Sequence, residues 1–161
     1  MRRTESERAI DLAYKAVARR DLTVAELRSR LESKHIPPEA IDDAVGELEE
    51  TGFLDDARYA RQFAEDKREL DQWGTERIAR DLRRRGIAPQ LIDAVTSTHS
   101  RDSELRTALL LLEQRYPAPP QDDRERDRAW QMLVRRGYSH EIGYDAIRAW
   151  ERAERERRRA A

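Results

Sequence analysis

The segment Ile78–Ile87, IARDLRRRGI, has two counterparts at a fixed distance along the chain. They are LRSRLESKHI at Leu27–Ile36 and AWQMLVRRGY at Ala129–Tyr138. Leucines recur in these segments at an interval of 51 residues: Leu31, Leu82 and Leu133. Three similar segments at one interval predict an internal repeat.

The repeated unit contains three helices. Each segment is followed by a short polar or proline-containing turn and then by a second series of apolar residues with helical spacing. A further helical segment precedes each one, and no alternating strand pattern persists. The sequence therefore predicts an all-α fold of three tandem three-helix repeats. We place the repeats at residues 1–52, 53–100 and 101–161, the last with a charged C-terminal tail.

Glycines mark the predicted helix ends. Gly86 and Gly137 occupy the position after a second helix, where a residue of positive φ commonly ends the helix. His35 holds that position in the first repeat, which predicts a poorer cap. Gly52 follows the last helix of the first repeat and is expected to end it in the same way.

The stretch Gly52–Phe63, GFLDDARYARQF, contains adjacent acids that are compatible with a metal or acid–base site or with a helix start. Neither acid has a second acidic or histidine partner within reach by sequence. We therefore interpret Asp55 as a helix cap and Asp56 as a first-turn acid that meets the helix dipole. The apolar residues are expected to fill the joint between repeats or face the core: Phe53, Leu54, Tyr59 and Phe63.

Composition limits the classes of protein that the chain can belong to. Hydrophobic residues make up 38% and charged residues 40%, which indicates an elongated molecule with several thin cores. Cysteine is absent, no apolar run is long enough to span a bilayer, and the first ten residues do not resemble a signal peptide. We expect a soluble, cytoplasmic protein that does not bind membranes and is a monomer.

No enzyme motif is present. The three histidines, His35, His99 and His140, fall in different repeats, and HEIGY at His140 lacks the second histidine of a zinc-protease motif. Neither glycine-rich nucleotide-binding motif occurs. We expect no catalytic residues, no cofactor and no metal site.

Basic residues are the better candidates for function. The formal net charge is −1, yet of 32 basic residues only Lys15, Lys34 and Lys67 are lysines, which leaves 29 arginines. Arginine suits the recognition of phosphate and carboxylate groups. Codon bias in a GC-rich genome would also explain the excess.

The predicted helix Thr75–Gly86 concentrates arginines on one side. Its apolar residues Ile78 and Leu82 face the core at 100° per residue. A cationic face of this kind favours phosphate or an acidic protein surface, whereas a solvated face with local ion pairs is the alternative. The candidate contact residues are Arg61, Arg68, Arg77, Arg80, Arg83 and Arg84.

Two further groups of charged and aromatic residues are candidates for contacts or ion pairs. Trp73, in the turn DQWGTE, could stack on a base, and Arg28, Arg30 and Lys34 of the first repeat form a secondary set of contact candidates. In the tail, Glu151 and Arg155, and Glu154 and Arg158, are four residues apart. This spacing predicts the ion pairs of a solvated helix end.

From about Ala9 to Trp150 the sequence resembles the RecX family of regulatory proteins. The resemblance is most specific in TGFLDDARYARQF (Thr51–Phe63) and WGTERIARDLRRRGI (Trp73–Ile87). The residues that match the family pattern are Gly52, Phe53, Leu54, Asp55, Asp56, Tyr59, Phe63, Gly74, Ile78, Leu82 and Gly86. His35 departs from the pattern because the family has glycine there, which affects a cap and not the assignment.

The resemblance implies a non-enzymatic regulator, mainly an inhibitor, of the RecA recombinase in homologous recombination, DNA repair and the SOS response. Members of the family form curved arrays of three-helix repeats, lodge in the groove of the RecA filament on single-stranded DNA, and restrain its ATPase and strand exchange. Many also bind DNA directly. The competing interpretation is a helical DNA-binding or scaffold module that is not tied to RecA.

Overall fold

The computed structural model describes residues 4–161, so residues 1–3 of the predicted first repeat lie outside the described part. The described residues contain helices and no strand, which confirms the predicted all-α fold. The helices are α1 (Glu5–Arg19), α2 (Val24–Ser33), α3 (Pro38–Glu50), α4 (Asp56–Glu69), α5 (Thr75–Arg84), α6 (Pro89–Thr96), α7 (Arg101–Arg115), α8 (Asp123–Arg135) and α9 (His140–Ala160). None of these helices is long and apolar enough to cross a membrane.

The chain forms two compact units. One contains the residues up to Gln62 together with Leu82–Ile92, and the other contains Phe63–Asp81 together with Asp93–Ala161. The middle three-helix segment therefore contributes residues to both units. The boundaries that we placed at residues 52/53 and 100/101 concern the repeats and not these units, and they remain a prediction.

The first unit is built on the packing of α1, α2 and α3. Leu27, Leu31 and Leu48 are almost fully buried in its core. Thr4 and Thr23 begin α1 and α2 with capping boxes, in which the threonine side chain and a glutamate three residues later each bond to the backbone of the other. Local sequence thus sets where these helices start, and burial of their apolar faces holds them together.

The second unit has its main core among α7, α8 and α9. Leu112, Leu133 and Tyr138 are completely buried there, with Trp150 beside them. Each of these helices begins at an N-cap side chain that accepts the N–H of the residue three positions later: Ser100, Asp122 and Ser139.

The second helix of each repeat ends in the same motif. Ile36, Ile87 and Tyr138 donate their N–H groups to the carbonyls of Leu31, Leu82 and Leu133 at 3.2, 3.1 and 3.1 Å. These are the six-to-one bonds of a Schellman motif, which needs a residue of positive φ just past the helix. His35, Gly86 and Gly137 supply it with φ values of 60°, 82° and 98°. The predicted helix ends at Gly86 and Gly137 are confirmed, and the poorer cap at His35 stays a prediction, because His35 ends α2 in the same motif.

In the first unit, the start of α2 packs against the end of α5. The Thr23 hydroxyl donates to the Arg85 carbonyl at 2.6 Å, and the Val24 N–H donates to the Asp56 carboxylate at 2.9 Å. Gly86 lies so close to α2 that a Cβ atom there would be 2.3 Å from the Cβ of Ala25. We call this set of contacts the α2 joint.

In the second unit, the start of α5 packs in the same way against the end of α8. The Gly74 N–H donates to the Arg136 carbonyl at 2.8 Å, and the Thr75 N–H donates to the Glu104 carboxylate at 2.6 Å. A Cβ on Gly137 would be 2.2 Å from the Cβ of Arg77. We call these contacts the α5 joint. Four of its residues lie 51 positions after their counterparts in the α2 joint: Gly74, Thr75, Arg136 and Gly137.

Substituting Gly137 tests how closely the α5 joint packs. Gly137→Ala places a methyl group against Arg77 at a positive φ, so we expect the free energy of unfolding to fall by about 2–4 kcal/mol. Gly46→Ala is the matched control, because nothing lies within 4 Å of its added Cβ inside α3. This control should gain about 0.5–1 kcal/mol from helix propensity. Urea unfolding followed by circular dichroism measures both, and equal stability of the two variants would contradict the joint.

Candidate functional site

The acid pair of the family-like stretch begins α4. Gly52 has a φ of 79°, as expected for a residue that ends the preceding helix. The Asp55 carboxylate accepts the N–H of Arg58 at 3.0 Å, which confirms its predicted role as a cap. The Arg58 guanidinium in turn donates to the Gly52 carbonyl at 2.8 Å and fixes the turn.

Asp56 does more than meet the dipole of its own helix. Its carboxylate accepts the N–H of Val24 and so satisfies a free donor at the start of α2. Burial raises the pKa of Asp56, and the bond from Val24 partly opposes that rise. Among residues 4–161 no group of three or more His, Cys, Asp or Glu side chains is placed to hold a metal ion. The pair therefore acts in helix initiation and in the α2 joint.

The apolar residues of this stretch divide between interior and surface. Leu54 is only 2% exposed, as expected. The expectation that Phe53 fills the joint is wrong, because Phe53 is 59% exposed with its ring edge-on to Tyr14. Tyr59 and Phe63 are half-buried, not core residues, and the Tyr59 hydroxyl accepts a hydrogen bond from Arg85 at 2.9 Å.

Helix α5 separates apolar and cationic residues. Ile78 and Leu82 are fully buried, as predicted, whereas Arg80, Arg83 and Arg84 are exposed. No hydrogen bond or ion pair joins the Arg80 or Arg83 side chain to any residue between 4 and 161. Their guanidinium groups are therefore available to an external anion. Arg80 lies in the second unit and Arg83 in the first.

The two candidates on α4 have different surroundings. Arg61 is exposed and has no ion pair with the described residues. Arg68 is half-buried and donates to the Val95 carbonyl at 3.0 Å, so it serves the interior of the second unit. Burial lowers the pKa of Arg68, and the nearby Glu104 carboxylate opposes that change. The Arg68 guanidinium is therefore engaged inside its own unit and is less available to a partner than that of Arg61.

Trp73 is enclosed by cations of its own unit. The Arg77 guanidinium lies 3.8 Å from the ring centroid, and the Lys67 ammonium lies 4.7 Å from it. Phe63 makes an edge-on contact with the same ring. Arg77 also donates to the Arg135 carbonyl at 3.3 Å, so both the ring and its cation help to hold the α5 joint. Arg77 covers one face of the Trp73 ring. A base could stack on that face only if Arg77 were displaced.

The secondary candidates of the first repeat are only partly available. Arg28 forms an ion pair with Asp42 at 2.7 Å. The side chains of Arg30 and Lys34 make no ion pair with the described residues, and Lys34 is exposed at the C-cap of α2. These two residues remain candidates for contact with a partner.

Two residues that position the site were missed from the sequence. Glu104, a buried acid in the first turns of α7, bonds to the start of α5. Arg85, which joins Tyr59 and lies 3.8 Å from Glu26, connects α5 to the α2 joint. Val24 and Thr75 are 51 residues apart, so the repeat interval alone would have matched the starts of α2 and α5. It would not have identified the acids that accept hydrogen bonds from these helix starts.

Known proteins of one family share this sequence pattern and this arrangement of helices. Models of the first and second three-helix domains of RecX match residues 9–48 and 55–95. A Regulatory protein RecX from Deinococcus radiodurans is 33% identical over 147 residues, which cover 91% of this chain and 70% of the relative. The chain belongs to the RecX family.

Other RecX proteins extend the likeness. A Regulatory protein RecX from Trichlorobacter lovleyi is 37% identical over 134 residues, covering 81% of this chain and 87% of the relative. The crystal structure of RecX from Lactobacillus salivarius superposes with a TM-score of 0.80 at 17% identity, covering 91% of this chain and 97% of that one. The fold of three-helix repeats is thus a RecX fold, and the family is one of regulatory proteins.

Substitutions of Asp56 separate the effect of its hydrogen bond with Val24 from the effect of its charge. Asp56→Asn keeps an acceptor for the Val24 N–H, so at pH 7 we expect stability equal to or above that of the original protein. Asp56→Ala leaves a half-buried donor without a partner and should lower the free energy of unfolding by about 1–3 kcal/mol.

The raised pKa of Asp56 gives the same experiment a pH dependence. The folded protein binds the proton of Asp56 more readily than the unfolded chain does. The original protein should therefore gain stability relative to Asp56→Asn as pH falls from neutral towards 3.8. Urea unfolding at several pH values measures this difference. Equal destabilisation by Asn and Ala at pH 7 would show that the charge, and not the bond, holds the joint.

Proposed function

We propose that this protein regulates the RecA recombinase by binding the groove of the RecA filament on single-stranded DNA and restraining its ATPase and strand exchange. Membership of the RecX family supports the regulatory role. The observation that carries the proposed contact is the exposure of Arg61, Arg80 and Arg83 without ion pairs to the described residues. Each unpaired arginine offers a positive charge to a carboxylate or phosphate group, although the net charge of the protein is −1.

Repetition suits this role. A filament presents the same surface many times, and tandem repeats offer several weak contacts on one chain. Once one contact forms, the others become intramolecular, so overall affinity exceeds that of any single contact. We therefore infer that arginines from more than one repeat contribute, with Arg30 and Lys34 of the first repeat as additional candidates.

Charge reversal on α5 tests the proposed contact. Arg80→Glu combined with Arg83→Glu should weaken inhibition of the RecA ATPase on single-stranded DNA by about tenfold or more, because close opposite charges are replaced by repulsive ones. Both side chains are exposed and unpaired within the described residues, so the fold should be unchanged. The measurement is ATPase rate against concentration of this protein.

Arg115→Glu combined with Arg124→Glu is the matched control, with the same change of charge at exposed positions elsewhere. It should leave the inhibition curve within about twofold of the original, because neither residue belongs to the proposed contact surface and surface charges are screened by salt. Unchanged inhibition by the α5 variant would contradict the proposed surface. The absence of any effect of the unaltered protein on RecA would contradict the proposed function.

Salt dependence identifies what the α5 arginines contact. If they bind DNA phosphates, the logarithm of affinity should fall linearly with the logarithm of salt concentration, by about 0.7 for each phosphate of a single strand. The α5 variant should then show a smaller slope. A slope that the variant does not change indicates that acidic groups of RecA are the ligands.

A further inference from the structure

The outer face of α3 concentrates negative charge that the fold leaves largely unpaired. This helix contains six acidic residues and no basic one. Acids four residues apart, such as Glu39 and Asp43, repel each other and destabilise their own helix. Among residues 4–161, the only one of the six acids with an ion pair is Asp42, which contacts Arg28 at 2.7 Å. A cation from outside the chain would therefore relieve the repulsion on α3.

Three of these acids and a glycine form a row opposite the buried side of α3. At 100° per residue the four residues fall within about 60° of arc and extend along about 16 Å of helix. We call this the α3 row, and its residues are Glu39, Asp43, Gly46 and Glu50, all of them exposed. A glycine inside a helix lowers its stability. Nothing lies within 4 Å of a Cβ added at Gly46, so no contact with the described residues requires a glycine there.

An apolar surface lies beside the C-terminal end of the α3 row. Phe53 is 59% exposed, and its ring meets Tyr14 of α1 edge-on. Helices α1 and α3 run side by side in the same direction. The bonds that show this join Ser6 to Asp43 at 2.6 Å and Tyr14 to Thr51 at 3.0 Å. A groove of about 500 Å³ on this part of α1 is lined by Glu7, Ile10, Asp11 and Tyr14. The surface thus offers aromatic rings at one end and carboxylates along the rest.

Helix α9 presents a row of exposed side chains with the opposite charge. Its buried face includes Ile142, Ala146, Ile147 and Trp150. On the other side, five residues fall within about 80° of arc and extend along about 22 Å of helix. We call this row the α9 stripe, and its residues are Tyr144, Arg148, Arg152, Arg155 and Arg159, all of them exposed.

The arginines of the α9 stripe are not neutralised by the acids of their own helix. The expected pair between Glu151 and Arg155 does not form, because Glu151 instead accepts a bond from Arg126 of α8 at 3.0 Å. Glu154 pairs with Arg158 at 3.3 Å, as expected, but Arg158 lies outside the stripe.

The acids near the start of α9 are engaged as well. Glu141 and Asp145 both contact Arg101 of α7. The stripe residues that make no hydrogen bond or ion pair with residues 4–161 include Arg152, Arg155 and Arg159. The tail is therefore not the balanced solvated helix end that its alternating sequence predicts.

The two rows match in spacing as well as in charge. The later members of the α3 row follow Glu39 at 4, 7 and 11 positions, and the later arginines of the stripe follow Arg148 at the same 4, 7 and 11 positions. Packed helices have axes about 8–10 Å apart, which brings long side chains of facing rows within reach of each other. Antiparallel packing sets Glu50 opposite Arg148. It also sets Asp43 opposite Arg155.

The aromatic residues select the antiparallel direction. Tyr144 stands at the N-terminal end of the stripe and is 49% exposed. Because Phe53 and Tyr14 lie beside the C-terminal end of the α3 row, only antiparallel packing brings the rings of the two surfaces together. Aromatic pairs of this kind add to affinity beyond the area that they bury. The open position at Gly46 then receives the long side chain of Arg152.

We propose that two copies of this protein associate through the α3 row of one copy and the α9 stripe of the other. The rings of Phe53 and Tyr14 in the first copy pack against Tyr144 of the second. The contact joins two different surfaces and is therefore heterologous. It involves neither RecA nor nucleic acid, so it is independent of the proposed function. The monomer predicted from the sequence is the dissociated state, which dilution and salt favour.

Charge reversal tests the pairing of the two rows. Sedimentation velocity of the nuclease-treated full chain, at low salt and at concentrations up to about 1 mM, measures self-association. Asp43→Arg combined with Glu50→Arg should weaken it by about tenfold or more, because attractive contacts become repulsive. Arg148→Glu combined with Arg155→Glu should weaken it by a similar factor. The proposal is overturned if the unaltered protein stays monomeric throughout, or if either variant associates as well as the unaltered protein.

Asp42→Arg combined with Glu49→Arg is the matched control. It changes the same residue types at the same spacing on the same helix, but about 100° around the axis from the α3 row. Each variant also loses one local contact, since Asp42 pairs with Arg28 and Asp43 bonds to Ser6. The control should stay within about threefold of the original affinity, because exposed charges outside a contact have small effects. Equal weakening by both variants would reduce the effect to net charge and overturn the proposal.

Mixing the two charge-reversed proteins tests the contact between copies. Each variant alone presents like charges on its two rows. Between unlike chains, the reversed α3 row meets reversed α9 residues of opposite charge, and the unaltered rows also attract. We therefore expect one-to-one complexes in the mixture although neither variant associates well alone. A mixture that associates no better than its components would overturn the pairing of these rows.

Phe53→Ala and Tyr144→Ala test the direction of packing. Each should weaken self-association by about 2- to 12-fold, the usual range for one aromatic pair. The double variant should be weakened by less than the product of the two single effects, because both remove the same contact. Effects that simply multiply would show that the rings do not meet and would overturn the antiparallel arrangement.

Gly46→Gln tests the close approach at the centre of the row without a change of charge. The added side chain occupies the open position, so self-association should weaken by about fivefold or more, as in an overfilled contact. Glutamine is a better helix former than glycine, so thermal unfolding followed by circular dichroism should show no loss of stability. Unchanged self-association of this variant would overturn the proposed position of Arg152.

Discussion

The structure depends on donors at the start of one helix being satisfied by the next repeat. The first N–H groups of α2 and α5 have no partner within their own helix, and the carboxylates of Asp56 and Glu104 accept them. The carboxylate also places negative charge at the positive end of the helix dipole. Because Gly86 and Gly137 bring the following repeat into close contact at the same point, a repeat with its joint removed would expose an unsatisfied helix start. The first and second three-helix units therefore each rely on a carboxylate of the repeat that follows.

The same constraint shapes the charge on the surface. The chain has nearly equal numbers of acidic and basic residues, but several acids are drawn inward or across to other helices. Glu104 bonds to a backbone N–H and Glu151 bonds to Arg126, so neither neutralises an arginine beside it on its own helix. Arg155, four residues from Glu151 on α9, consequently makes no ion pair with the described residues, and Arg80 on α5 makes none either. A protein of net charge −1 can therefore present concentrated cationic surfaces, since the distribution of charge and not its sum decides what a surface attracts.

Sequence reasoning succeeded where the determinants are local and periodic. Helix ends at Gly86 and Gly137 follow from one residue and its φ, and the burial of Leu82 follows from helical spacing. Sequence reasoning failed where the partner of a long side chain depends on tertiary packing. Arg68 donates to the Val95 carbonyl. Glu151 accepts a hydrogen bond from Arg126 of α8 and not from Arg155, four residues away on its own helix. Helical spacing gives the direction of a side chain from its own helix, whereas these choices depend on which other helix lies beside it.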